Sequence, residues 1–444
     1  MKSILHPKKR KKKKSIKIGV KKCRLMAGST FAVKNSARSK AMLAAFIAII
    51  VAASFASGYF SRTFISSEQQ TVTVKIGALL PLTGDLSTYG KRNQGALQLA
   101  IEDINSFAEA AGSKFRFQLV VEDTGTDPQT ARSRIEALAA QGVKLFLGPM
   151  SSGEVSQVKQ FADANKLVVV SQSSTAPALS IPGDFVFRVV PPDTYQGRAL
   201  AKVVWSSGFT KAIVIYRNDA WGVGLRDSFE KNFKALGGTT ESIAYDTGAK
   251  EFSAEVSRAA DLASQMGTGT AIVLISFEEG IQFIKLAAQN PVLSKLTWFG
   301  TDGLANNAKL ISEAGAEAIA LGGIASTNFI PTANPMQEEF KRRFRQRFGD
   351  DPDPYSMNSY DAAWLLALSV MLTGSDDGTK IASVLPQVTA RYYGITGTIT
   401  LDASGDRSAG DYGVFKVVQT STGLAWKLVA VYHIDTDTFA PVGS

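Results

Sequence analysis

The chain reads as an α/β protein built on doubly wound, mostly parallel sheets, and three observations predict this. Seven apolar runs, "VKIGALL" (74–80), "FQLVVED" (117–123), "VKLFLG" (143–148), "LVVVSQ" (167–172), "AIVIYR" (212–217), "TAIVLIS" (270–276) and "LTWFG" (296–300), are continuous rather than alternating. Strands buried on both faces of a parallel sheet have that pattern. Amphipathic helical patterns lie between them, so strand and helix alternate. The loops that follow the runs are rich in Gly, Ser, Thr and Asp, and in right-handed βαβ units such loops gather at the carboxyl ends of the strands, where ligands bind.

Residues 1–40 hold 15 Lys or Arg and no acid, including "PKKRKKKK" (7–14). The whole chain has 49 basic and 39 acidic residues, so the remainder carries 49 − 15 = 34 basic against 39 acidic, a balance of −5. A mildly acidic body does not suit a nucleic-acid backbone, which needs clustered positive charge. Next, "AMLAAFIAIIVAASFASGYF", Ala41 to Phe60, runs 20 residues without a charge between Lys40 and Arg62. That is long enough to cross a bilayer as one helix. The basic tail then stays cytoplasmic and fixes the body outside, where the lysines can also meet anionic headgroups. A cleaved signal is the competing reading, with "SFA" at 54–56 as its cleavage site. The 40-residue leader favours an uncleaved anchor, and both readings place the body outside the cytoplasm. Residues 61–70 read as a polar tether. Cys23, in the tail, is the single cysteine, so the body has no disulfide option and relies on its core.

The body opens with "VKIGALLPLTGDLSTYGKRNQGALQLAIEDIN". A strand, a glycine-spaced loop and a helix follow one another, with Leu97, Ile101, Ile104 and Ala108 on one helix face. Gly84 and Gly90 let the backbone turn at the loop, and Gly95 lets the helix pack close to the sheet. "DPQTARSRIEALAAQG" begins with a start signal and ends at Gly142. Adjacent prolines in "VVPPD" (189–193) suit an extended crossing segment. Seven βα units exceed one ordinary sheet, so two lobes are expected. The C-terminal "ITGTITLD", "YGVFKVVQT" and "AWKLVAVYH" read as β-rich, with turns at "ASGDR" and "STG".

The strand-end loops are "PLTGDLSTYG", "TGTDP", "GPMSSGE", "SQSSTAP", "RNDAWG", "SFEE" and "GTDGLAN". Arg217 is their one cation, and none holds a histidine. Neither GxxxxGK[ST] nor GxGxxG is present, which argues against a phosphate cradle. A zwitterion fits better. Hydroxyls and N–H groups at helix starts suit a carboxylate, Asp193 and Asp302 can face an ammonium, and Tyr89, Trp221 and Phe277 can wall an apolar side chain. Any one Ser, Thr or Asp at a helix start, taken alone, reads as a cap before it reads as a ligand contact, and Trp221 and Phe277 read equally as packing, so the constellation carries the case. The only histidines are His6 and His433. With no G-x-S-x-G, HExxH or cysteine cluster, the chain is expected to be no enzyme, with no metal site and no cofactor. Glu278 and Glu279 read as a solvated helix start.

From Val72 to His433 the sequence resembles the periplasmic-type solute-binding proteins of the leucine/isoleucine/valine class, which feed ABC importers. The motifs carrying the resemblance are, in order, the opening stretch, "GPMSSGEV", "VVVSQSSTAPAL", "FRVVPPDTYQGRALA", "NDAWGVGL", "WFGTDGLAN", "NSYDAAWLLALSV" and "GITGTITLDASGD". The resemblance implies two Rossmann-like lobes joined by three crossing segments, the type I periplasmic binding protein fold, with a hinge motion closing the cleft. Lobe one would be 71–192 and 326–411, and lobe two 193–325 and 412–444. It further implies that Tyr89 lines the cleft, and that Ser152, Thr175 and backbone groups around Ser173 anchor the ligand's carboxylate and amino groups. Asp193 matches an acidic position of the family motif. Trp221 and Phe277 would form the far wall, Tyr355 another apolar contact, and Asp302 the acid for the ammonium. The family's amino-acid binders often carry Glu where Asp302 stands, and Tyr at Trp221 and Phe277. The expected partners are a small amino acid, an ABC permease with its ATPase, and the membrane through the N-terminal helix, with no nucleic acid. The alternatives are an amide, urea or other small solute, or a ligand-sensing receptor ectodomain.

Overall fold

The computed structural model describes residues 70–442. The basic tail, the apolar segment 41–60 and the tether as far as residue 69 lie outside the described residues. Among the described residues no helix is long and apolar enough to cross a membrane.

The first sheet is parallel, in the order β2-β1-β3-β4-β5. It is built from β1 (Val72–Leu80), β2 (Phe115–Asp123), β3 (Leu145–Leu147), β4 (Val168–Ser171) and β5 (Val186–Arg188). Its side chains alternate between two cores, as a pleated strand requires. Ile76, Ala78, Leu145, Leu147, Val168 and Val170 face one core, with residues of α1 (Ser87–Ala110), α9 (Pro335–Phe348), α10 (Pro354–Thr373) and α11 (Gly378–Thr389). Leu79, Phe146 and Val169 face the other, with α2 (Pro128–Ala140) and α3 (Ser152–Asn165). Both faces are covered, which is why these strands read as unbroken apolar runs.

The second sheet runs β15-β14-β13-β10-β9-β8-β6-β7. β6 (Lys211–Arg217), β7 (Thr239–Tyr245), β8 (Thr270–Ile275), β9 (Trp298–Gly300) and β10 (Ala325–Ile330) are parallel. β13 (Asp411–Thr420), β14 (Gly423–His433) and β15 (Thr438–Pro441) extend it antiparallel. Ala212, Val214, Ala271 and Val273 pack with α4 (Asp193–Ser206) and α5 (Ala220–Ala235). Ile213, Ile215, Ile272 and Leu274 pack with α6 (Ser253–Met266), α7 (Gly280–Gln289) and α8 (Ala308–Ala320). The strands β11 (Tyr393–Gly394) and β12 (Gly397–Thr398) form a separate small hairpin.

Three expectations need correction. The boundary at 326 assigned β10 to lobe one, whereas β10 pairs with β9 and β13 in the second sheet, so the chain crosses back after Ile330. Gly90 lies inside α1 rather than in the loop, and a Cβ there would stand 2.0 Å from the Pro81 carbonyl oxygen. Gly95 faces Phe344 and Phe348 of α9, at 3.2 and 3.1 Å from a Cβ position, and so serves helix–helix rather than helix–sheet packing.

Candidate functional site

The site lies where the strand order of each sheet reverses. β1 is flanked by β2 and β3 in the first sheet, and β6 by β7 and β8 in the second. Open α/β sheets form ligand crevices at such switch points. Leu86, Tyr89, Met150, Ser151, Ser152 and Ser173 approach from lobe one, and Trp221, Phe277, Asp302 and Gly303 from lobe two. Tyr355, from the first turn of α10, completes the lining. The cavity they enclose is about 20 Å³, room for about one water. Larger grooves exist, one of about 890 Å³ beside α4 and α5 and one of about 1120 Å³ along the crossing segments. Both are more open, and neither is lined by Asp302 or by the Trp221 and Phe277 rings.

On the lobe-one side the polar groups are tied to one another. Ser151 caps α3 in a capping box: it accepts from the Glu154 N–H at 3.2 Å, and Glu154 accepts from the Ser151 N–H at 2.9 Å. Burial raises the Glu154 carboxyl, and the Ser151 hydroxyl opposes this. Ser152, one residue on, is released from capping. Its Oγ accepts from the N–H groups of Thr175 at 3.2 Å and Ala176 at 3.1 Å, and lies 3.0 Å from Ser174 Oγ. The Ser173 hydroxyl donates to the Met150 carbonyl at 2.9 Å. Arg188 stands behind this loop, donating to the Ser174 and Ala176 carbonyls at 3.2 and 2.8 Å. It also makes a fully buried ion pair with Asp406, close to the third crossing.

The floor holds two carboxylates. Asp302 accepts from Tyr355 Oη at 2.6 Å and from Gln196 Nε2 at 2.8 Å. Asp193 is fully buried, and its backbone N–H donates to the Thr175 carbonyl at 2.8 Å. Neither of its carboxylate oxygens finds a hydrogen-bond partner among the described residues. Burial and the charge of Asp302 push the Asp193 carboxyl well above the usual carboxylate range, and the nearby Thr175 side chain and the Arg188 charge oppose this without overcoming it. Burial also raises Asp302, while Tyr355 and Gln196 hold it back. The Tyr412 hydroxyl is buried beside them and likewise lacks a partner among the described residues. Burial and the Asp193 charge push it upward.

The lobe-two wall is aromatic. Trp221 and Phe277 stack with centroids 4.5 Å apart and planes at 19°, and the Arg217 guanidinium lies over the Phe277 ring, 4.5 Å from its centroid. Tyr89 reaches across from lobe one and donates to the Ala305 carbonyl at 2.7 Å.

The structure therefore brings seven of the nine sequence-predicted residues to one cavity: Tyr89, Ser152, Ser173, Trp221, Phe277, Asp302 and Tyr355. Thr175 and Asp193 sit behind it. The capping alternative fails for Asp193, since the N-cap of α4 is Pro192 and makes no side-chain capping bond. It holds for Asp219 on α5 and Asp353 on α10. Glu278 and Glu279 are not a solvated helix end. Glu278 is 4% exposed, and Glu279 accepts from Arg217 at 2.8 Å and Tyr245 at 2.6 Å, because both acids meet partners in or between the lobes. Gln196 and Tyr412 escaped sequence reasoning. Gln196 carried a signal, standing one helical turn after Asp193, whereas Tyr412 lies on a distant strand that gave none. Among the described residues no group of His, Cys, Asp and Glu could hold a metal ion.

The sequence and the fold match those of known proteins. Residues 92–420 match the family described as the receptor family ligand binding region. An uncharacterized protein of Methanocaldococcus jannaschii is 34% identical over 88% of this chain and 97% of its own. A Leu/Ile/Val-binding protein homolog of Brucella suis is 27% identical over 77% of this chain and 90% of its own. The crystal structure of a leucine-binding protein from Thermotoga maritima superposes with a TM-score of 0.70 at 25% identity, covering 82% of this chain and 99% of that one. The chain belongs to the receptor ligand-binding-region family, in its leucine/isoleucine/valine class of ABC-transporter solute-binding proteins with the type I periplasmic binding fold.

Proposed function

We propose that this chain captures a small amino acid, branched-chain or otherwise apolar, between its lobes and hands it to an ABC permease and its ATPase. One observation carries the reading. The lining has carboxylate and aromatic groups on one side and hydroxyls with N–H groups on the other, and it contains no cationic side chain. That is the complement of a zwitterion with an apolar side chain. Asp302 takes the ammonium, with Asp193 as a second acid behind it. The Ser152 hydroxyl and the Ser173 N–H, both on the lobe-one lining, take the carboxylate, with the Thr175 N–H behind them holding Ser152 Oγ. Trp221 and Phe277 wall the side chain, with Tyr89 and Tyr355 closing the chamber. The names of the Brucella and Thermotoga relatives support this ligand class.

In this reading the apolar segment 41–60 anchors the binding body outside the cytoplasm. A small amide or urea is the second reading. It is favoured by the small volume of the cavity and by Asp193, which burial drives toward its neutral, donating form. Calorimetric titration of the purified chain with leucine, isoleucine, valine, small amides and urea separates them. Micromolar or tighter binding of an amino acid is expected. The reading is wrong if no amino acid binds tighter than millimolar while an amide does.

A further inference from the structure

We infer that the segment opening α1 is the latch of the cleft: one face of residues 85–92 docks on lobe two and sets how much of the protein is closed, independently of the solute. The inference rests on the proposed capture between lobes. Asp85, Thr88, Tyr89 and Arg92 are spaced i, i+3, i+4 and i+7, one stripe of a helix and the turn that leads into it. Each reaches lobe two. The Asp85 carbonyl accepts from the Glu278 N–H at 3.1 Å, and its carboxylate pairs with Arg217 at 3.2 Å. The Thr88 N–H donates to Glu278 Oε1 at 3.0 Å, placing that acid at the helix N-terminus, where a negative charge is favoured. Tyr89 donates to the Ala305 carbonyl and Arg92 to that of Asn306, at 2.7 and 3.1 Å.

Arg217 is the centre of the latch. Asp219 and Glu279, both in lobe two, fix its guanidinium at 2.7 and 2.8 Å, and the same group covers Phe277, which stacks on Trp221. The cation that reaches Asp85 therefore also backs the aromatic wall. Parting the lobes exposes Arg217 and Glu278, and closing them restores an ion pair and four interlobe hydrogen bonds. Opening is required for entry, because Tyr89, Trp221, Asp302 and Tyr355 are each no more than 5% exposed. Neither Asp85 nor Arg217 lines the cavity. Weakening the latch therefore lowers the closed population by one factor for every solute and leaves their ranking unchanged. Asp85 is 30% exposed, so salt weakens the latch as well.

The test measures the distance between lobes in the full chain carrying Cys23→Ser, with spin labels at Ala137→Cys on α2 and Ala235→Cys on α5, both exposed. Without added solute, Asp85→Asn and Arg217→Gln are expected to move population from the short to the long distance. Raising salt from about 20 to about 500 mM does the same in the parent and less in Asp85→Asn. With leucine as the probe, Asp85→Asn binds about three- to tenfold more weakly, with an unchanged leucine-to-valine ratio. Distances and salt response identical to the parent's in Asp85→Asn overturn the latch. Asp85 is on a loop, so this variant decides the matter even where Arg217→Gln fails to fold. Absence of leucine binding in the parent defeats the proposed function, while the distances still decide the latch. Equal leucine affinity with equal distances defeats the latch alone.

Discussion

The floor and the mouth of the cleft treat charge in opposite ways. At the mouth, one guanidinium is shared by Asp85, Asp219 and Glu279. At the floor, Asp193 and Asp302 lie buried with no cationic side chain lining the cavity, and the carboxylate oxygens of Asp193 make no well-formed hydrogen bond among the described residues. An unpartnered buried carboxylate is costly, and packing alone does not explain it. In the proposed reading the mouth holds lobe to lobe, and the floor receives a group that arrives from outside.

The largest expected effect concerns what supports the floor. Asp406→Ala leaves Arg188 buried and unpaired beneath the Ser174–Ala176 loop, and should cost about 3–5 kcal/mol of stability in chemical denaturation. A loss under about 1 kcal/mol would show that this pair does not support the loop. Next, Tyr355→Phe removes a donor from Asp302 and should weaken leucine binding by about 1–3 kcal/mol in calorimetry. Unchanged affinity would separate Tyr355 from the floor.

Asp193→Asn tests the charge contrast through pH. The native carboxyl keeps its proton above the unfolded value of about 3.9, so the wild-type fold loses stability as pH rises from there through the raised native value. Asparagine removes that loss. The melting temperature should rise by roughly a few degrees at neutral pH, with the gain shrinking as pH falls toward the unfolded carboxylate value. A gain independent of pH would point to packing instead. The smallest effect belongs to the mouth: a screened change in closed population in Asp85→Asn, without any change in selectivity.

How much of this was legible in the sequence depended on burial. The runs at 74–80, 212–217 and 270–276 could be read because both faces of those strands are covered. β7 could not, since "TTESIAY" is an edge strand whose burial alternates. β10 was missed because "ASTNFI" is polar although largely buried, and its omission misplaced the second crossing. Tyr89, Trp221, Phe277 and Asp302 were legible as strand-end residues matching a family motif. The interlobe roles of Glu278 and Glu279 were not, because a solvated helix start and a docked one have the same local sequence. Their partners Thr88 and Arg217 lie 190 and 62 residues away.

Titration of leucine into the purified parent chain and into Asp302→Ala tests the central claim most directly. The account predicts micromolar or tighter binding to the parent, weakened by about 2–5 kcal/mol when the floor carboxylate is removed. Equal affinity in the two proteins would contradict it, because the ammonium site would then lie elsewhere.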